Sequence, residues 1–203
     1  MRPCLLVPLI MASAAPYVYA QQVEDQRPDI NVKRTIEDVM SAIRADPGAS
    51  AGDPDRLDSI VRDKFLPHTD FLHTTQFAVG NAWSTATPEQ QKELFEQFQT
   101  LLVHVYAAQL SQVRAQDMQF KFLPMAPLTP DANDALVRTV YMNRNDQMNI
   151  NYRVAKTDSG WKIYDIDMGG PWLSDIYQKQ FAGQIAKGGI EGLLKSLQAH
   201  NAR

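Results

Sequence analysis

The chain has 203 residues, 20 basic against 23 acidic for a net charge of −3, and one cysteine. That balance lends no electrostatic help to non-specific binding of nucleic acid or of an anionic membrane surface. A single thiol excludes a disulfide framework and most zinc sites.

The opening stretch, MRPCLLVPLIMASAAPYVYA, places Arg2 before an apolar run that closes on Val18-Tyr19-Ala20, the pattern of a secretory signal peptide over residues 1–20 cleaved after Ala20. Pro8 and Pro16 interrupt the run, which is shorter than the roughly 20 apolar residues a membrane span requires. Cys4 leaves with this segment, so the mature chain is expected to carry no thiol and no thiolate chemistry. Gln21 and Gln22 stand where a lipid-anchored protein needs a cysteine. Losing Arg2 leaves 19 basic residues against 23 acidic, a net charge of −4. Residues 21–203 have a length suited to one domain.

Ile30, Val32, Ile36, Val39, Met40 and Ile43 recur at helical spacing until Asp46-Pro47-Gly48 stops them, which predicts a first amphipathic helix. A small loop over 49–54 leads to a second helix carrying Leu57, Ile60, Val61, Phe65 and Leu66 and ended by Pro67. A short helical segment is expected around Phe71 to Val79 with Gly80 as its exit. Thr87-Pro88-Glu89-Gln90 then supplies a capping hydroxyl, a proline where its missing N–H costs nothing, and a glutamine placed to reach back to the cap. The helix it starts runs to about Gln112, roughly 37 Å at 1.5 Å per residue, with Leu94, Phe95, Phe98, Leu101, Leu102, Val105 and Tyr106 as its apolar stripe.

From Asp117 the period changes to two. Met118, Phe120 and Phe122 predict a first strand, and a proline-rich connection over 124–134 follows it. Strands over Leu136 to Met142, Met148 to Val154 and Trp161 to Met168 are joined by Asn143-Arg144-Asn145-Asp146 and Thr157-Asp158-Ser159-Gly160, so the sheet should be antiparallel. Alternation in Met148, Ile150, Tyr152 and Val154 leaves one face of that strand solvated. In the preceding strand Val137 and Tyr141 point one way and Leu136, Val140 and Met142 the other, which predicts cover on both faces. Past Gly169-Gly170, Pro171 can start a helix with Trp172, Leu173, Ile176, Tyr177, Phe181 and Ile185 along its stripe, ended by Gly188-Gly189 and followed by a short helix with Leu193, Leu194 and Leu197.

Several phrases in this order resemble the MlaC family, also called the toluene-tolerance auxiliary family. They are Val79-Gly80-Asn81-Ala82-Trp83, Ala86 to Gln91, Phe95 to Phe98, the leucine-rich run to Tyr106, Trp161-Lys162-Ile163-Tyr164-Asp165-Ile166, Gly170 with Trp172-Leu173, Tyr177 to Phe181, and Gly189 to Leu194. The resemblance covers nearly the whole mature chain. It departs at Pro171-Trp172, where the family usually has valine and serine after the glycine, a junction expected near the pocket mouth.

The resemblance implies an α+β fold: a twisted antiparallel sheet of about four strands wrapped by N-terminal and C-terminal helices, similar to nuclear-transport-factor-like (NTF2-like) folds, with an apolar pocket between sheet and helices. It also implies a periplasmic carrier that binds phospholipid acyl chains, leaves the headgroup outside, and exchanges cargo with an outer-membrane lipoprotein complex and an inner-membrane ABC transporter with MCE-type subunits; short polar termini and no obvious exposed apolar helix favour a monomer. Hopanoid or another polycyclic lipid is the alternative cargo. The chain has no GxxxxGK[ST] loop, so nucleotide hydrolysis belongs to the partner. An acyl chain gains roughly 0.8 kcal/mol per CH₂ removed from water, so an apolar pocket suffices for affinity and no cofactor is needed.

Candidate lipid-binding residues are those where helix stripe and strand face could meet: Phe98, Leu102, Val105, Tyr106, Val140, Met142, Ile150, Tyr152, Tyr164, Ile166, Met168 and Trp172. Met118, Met142, Met148 and Met168 fall in or beside strands, where flexible thioethers suit a pocket wall. For any one of these residues ordinary core is the commoner role.

An enzyme on an NTF2-like fold is a competing reading. Asp165 and Asp167 share a strand face as an acid–base pair would, although carboxylates at a strand end beside a glycine exit commonly cap turns or pair with Lys or Arg, and Asp165 is read as a structural acceptor. His68, His73 and Asp70 cluster locally, while His104 and His200 stand apart, and no metal-ligand spacing or GxSxG elbow is present. A third reading is a ligand-free adaptor between envelope complexes, its pocket filled by its own side chains.

Overall fold

The computed structural model describes residues 27–112, 119–129, 131–143 and 146–202, apart from the side chain of Asp146. The expected signal peptide, Met118, and Arg144 and Asn145 of the first hairpin turn lie outside them.

Helix α1 (Pro28–Ala45) starts on a proline at its first turn and buries Val32, Ile36, Val39, Met40 and Ile43 along one stripe. It stops before Pro47, because a residue preceding proline is pushed out of the helical region, and Asp46 is extended there, at φ −104° and ψ 114°. The expected loop after it contains one more helical turn, α2 (Pro47–Ser50), capped by the Asp46 carboxylate accepting from the Ala49 N–H. Helix α3 (Pro54–Ile60), capped by Asp53, widens into a π-helical turn over Val61–Phe65 and tightens into a 3-10 turn over Leu66–His68. The second predicted helix therefore does not end at Pro67, which sits inside that last turn.

Helix α4 (Phe71–Val79) leaves through Gly80, whose φ of +63° suits a residue without a Cβ. Helix α5 (Pro88–Ser111) has both halves of the capping box: Thr87 Oγ1 accepts from the Gln90 N–H, and the Gln90 side chain accepts from the Thr87 N–H. Helix α6 (Leu173–Asn201) starts two residues after Pro171 and is broken at Gly189, whose φ is +64°.

Strands β1 (Gln119–Phe122), β2 (Asp134–Asn143), β3 (Asp146–Thr157) and β4 (Gly160–Met168) pair antiparallel in that order. Asn143 pairs with Asp146, so Tyr141 lies opposite Met148 and Thr139 opposite Ile150. Cross-strand partners share a face. One face therefore carries Phe120, Val137, Thr139, Tyr141, Met148, Ile150, Tyr152, Ile166 and Met168, and the other Leu136, Arg138, Val140, Asn149, Asn151 and Arg153. Between Arg153 and Val154 the register to β4 slips by one residue, with Asp165 opposite Arg153 and Ile163 opposite Val154, so Tyr164 is the extra residue of a bulge.

Two apolar clusters result. The first lies between α1 and the inner sheet face, with Val32, Ile36, Val39, Val137, Tyr141, Tyr152 and Ile166 among its buried members. The second lies where α4, α5 and α6 meet, built on Phe71, Leu94, Phe98, Leu102, Phe181 and Leu194. Its rings meet edge-on, with Phe98 centred 5.0 Å from both Tyr177 and Phe181. Most of the long α5 stripe is spent on this second cluster. It does not run along the sheet as the sequence suggested.

Candidate functional site

The first cluster is incompletely filled. A cavity of about 160 Å³ remains between α1, the π-helical turn, the end of α5 and the inner sheet face. Helix α1 contributes Ile36, Val39 and Met40, and the π turn contributes Val61 and Phe65. An extra residue per turn re-aims a helical stripe, and here the widened turn presents both of its apolar side chains to the void. The last turns of α5 add Tyr106, Gln109 and Leu110. The sheet adds Phe120, Tyr141, Met148, Ile150, Tyr152, Ile166 and Met168, spread over all four strands.

No charged side chain lines this cavity; its polar atoms are three phenols and the Gln109 amide. Burial pushes the Tyr106 and Tyr152 phenols above their ordinary pKa, so both are neutral at any physiological pH. The Tyr152 hydroxyl has Thr139 as its partner, and Thr139 in turn donates to the Ile150 carbonyl at 2.9 Å.

Ile36, Met40 and Phe120 also line a second recess, of about 470 Å³, which contains Lys33, Glu37, Arg44 and Phe122. The apolar cavity and this charged recess are therefore neighbours across a neck of three side chains. Lys33 Nζ stands 3.8 Å from Glu37 Oε1 at that rim.

Tyr106, Ile150, Tyr152, Ile166 and Met168 of the expected lipid-binding residues line the cavity. The others are elsewhere. Phe98 and Leu102 are buried in the second cluster, and Val105 packs against it. Val140 and Met142 point to the opposite sheet face, where Val140 lies between Lys121 and Asn149. Tyr164, at the bulge, stacks on His73 with centroids 4.1 Å apart and donates to Asp134 Oδ2 at 2.8 Å. Trp172 lies under the Arg153 guanidinium, 4.0 Å from the ring centre, and does not line the cavity. Of the strand methionines, Met148 and Met168 reach the cavity.

The partners of Asp165 and Asp167 are those of structural acceptors, as expected at a strand end. Asp165, 2% exposed, accepts from the Ile166 N–H, the Ser174 N–H and hydroxyl, and Arg153 Nη1. Burial pushes its carboxyl above the ordinary value, against the pull of those donors. It ties the start of α6 to β4. Asp167 accepts from Asn151 Nδ2 and from the Gly170 N–H, and neither carboxylate reaches the cavity. Among the described residues no three metal-ligating side chains converge, and no helix is long and apolar enough to cross a membrane.

A four-stranded sheet and helices enclosing a neutral, hydrocarbon-lined void beside a charged rim define a class of protein that shelters an apolar guest. The chain belongs to the MlaC protein family, whose sequence profile matches residues 33–199. It is 24% identical over 192 residues, 93% of this chain and 83% of the relative, to the intermembrane phospholipid transport system binding protein MlaC of Haemophilus influenzae. A solved phospholipid-binding protein from Ralstonia solanacearum, in complex with a phospholipid, superposes with a TM-score of 0.80 at 38% identity, covering 86% of this chain and 97% of that one.

Proposed function

We propose that this protein is a carrier that takes the acyl chains of a phospholipid into the cavity between α1 and the sheet, keeps the headgroup at the charged rim, and moves the lipid between membranes without altering it. The observation that carries this reading is the neutral wall, in which side chains from all four strands and three helical segments converge on a void with no charged member. Such a wall is suited to solvating hydrocarbon, which needs no charged group. The solved relative from Ralstonia solanacearum, bound to a phospholipid, and the name of the Haemophilus influenzae relative support the cargo class. An adaptor filled by its own side chains would leave no such void.

The carrier acts in the periplasm, reached through the signal peptide over residues 1–20, as a single domain over residues 21–203 and as a single copy. It exchanges cargo with an outer-membrane lipoprotein complex and an inner-membrane ABC transporter with MCE-type subunits. The test is native mass spectrometry of protein released gently from the periplasm, followed by extraction and identification of the lipid. One intact phospholipid per chain is expected. A polycyclic lipid would replace the cargo, a chemically altered lipid would favour an enzyme, and protein without lipid would favour the adaptor.

A further inference from the structure

Of the fully covered side-chain polar atoms among the described residues that lack a hydrogen-bond partner, one lines the cavity. Tyr141 is 5% exposed and lines the void, yet its hydroxyl, itself fully covered, makes no hydrogen bond. Buried side-chain hydroxyls are nearly always paired, because an unpaired one forfeits its hydration without return. Two other tyrosines obey that rule: Tyr152 has Thr139 and Tyr164 has Asp134.

The neighbours of Tyr141 narrow what its hydroxyl awaits. Tyr141 pairs across the sheet with Phe120, their rings 5.7 Å apart, and Phe120 is one of the three side chains shared by the cavity and the charged recess. On the other side Tyr141 faces Met148, a flexible thioether that can yield to an incoming group. A phospholipid with its head against Lys33, Glu37 and Arg44 and its chains in the cavity carries its ester linkages through that neck. We propose that the Tyr141 hydroxyl donates a hydrogen bond to an ester carbonyl oxygen of the cargo, so that the site distinguishes ester-linked chains from ether-linked ones. The inference rests on the carrier reading and deepens it: apolar area supplies affinity, and one phenol reads the linkage.

The experiment compares the delipidated full-length mature protein with Tyr141→Phe. Each is titrated with a short-chain diacyl phosphatidylcholine and with the dialkyl ether of the same head and chain length. Wild type is expected to bind the diester about tenfold more tightly, within roughly five- to thirty-fold for one neutral hydrogen bond to a buried donor. Tyr141→Phe should bind both lipids alike, near the wild-type affinity for the ether. Because the deleted oxygen has no partner in the empty protein, the delipidated variant should melt no lower than wild type, whereas Tyr164→Phe, which loses its bond to Asp134 outside the cavity, should melt lower and keep the diester preference. Equal binding of both lipids by wild type, or a preference that survives in Tyr141→Phe, overturns the proposal and leaves the carrier reading standing. Wild type that binds neither lipid sinks both.

Discussion

Ile150→Trp separates a cavity wall from an ordinary core. Ile150 sits on the central strand β3 with its side chain on the void. A site that holds one water-sized group needs about 10–15 Å³, so the cavity of about 160 Å³ offers roughly a dozen such positions. Trp adds about six heavy atoms to Ile, close to half of them, and each methylene denied shelter forgoes about 0.8 kcal/mol, a ceiling near 5 kcal/mol. A tail can bend around the obstruction, so lipid retention should fall about 10- to 100-fold. The added atoms enter existing space, and the delipidated variant should keep its stability to within about 1 kcal/mol. Leu102→Trp is the contrast, since Leu102 is 1% exposed in the second cluster. There the same enlargement must displace neighbours and should cost about 1–3 kcal/mol. Lipid-to-protein ratio by mass spectrometry and urea midpoints of the delipidated proteins measure both quantities. If Ile150→Trp keeps its lipid, or loses as much stability as Leu102→Trp, the void is not where cargo resides.

Asp165→Asn should destabilise the fold by about 2–3 kcal/mol, because an amide has one acceptor oxygen, so that either the Ile166 and Ser174 N–H groups at Oδ1 or Arg153 and the Ser174 hydroxyl at Oδ2 face a donor instead. The Asp165 carboxyl lies above its ordinary value of 3.8, so its stabilising contribution is full below that value and declines as pH rises through its folded-state pKa. The gap between wild type and variant in urea should therefore narrow as pH is raised from about 4 toward neutrality. Thr87→Ala removes the exposed capping hydroxyl of α5 and should cost about 1 kcal/mol in the same assay, with lipid retention unchanged.

Elements with local signals were legible in the sequence: the Thr87–Gln90 box, the stop at Asp46-Pro47 and the alternation of β3 each act within a few residues. The site was legible only where periodicity alone set the face, as for Ile150 and Tyr152. Val140 and Met142 are candidates as positions where helix stripe and strand face could meet, but the strand register puts them on the other face. Pairing Asn143 with Asp146 sets Tyr141 opposite Met148 and turns Val140 and Met142 away from Ile150. The role of α1 was missed for a different reason. The long capped helix was the stronger local signal, yet which helix covers a sheet is decided by competition among apolar stripes, and Phe98 and Leu102 found better partners in α4 and α6. The π-helical turn that aims Val61 and Phe65 inward depends on tertiary contacts, and the run Leu57 to Leu66 reads as an ordinary helix without them.

Among the described residues, none of the buried members of the α4–α5–α6 cluster borders the void, and only Tyr106 packs against both clusters. Discharging a guest therefore strips contacts from one compartment and leaves the other's ring-on-ring stack whole. On the proposed reading, a shuttle built this way has ballast independent of its freight: it can make the empty leg of its circuit still folded and start each new round without rebuilding itself.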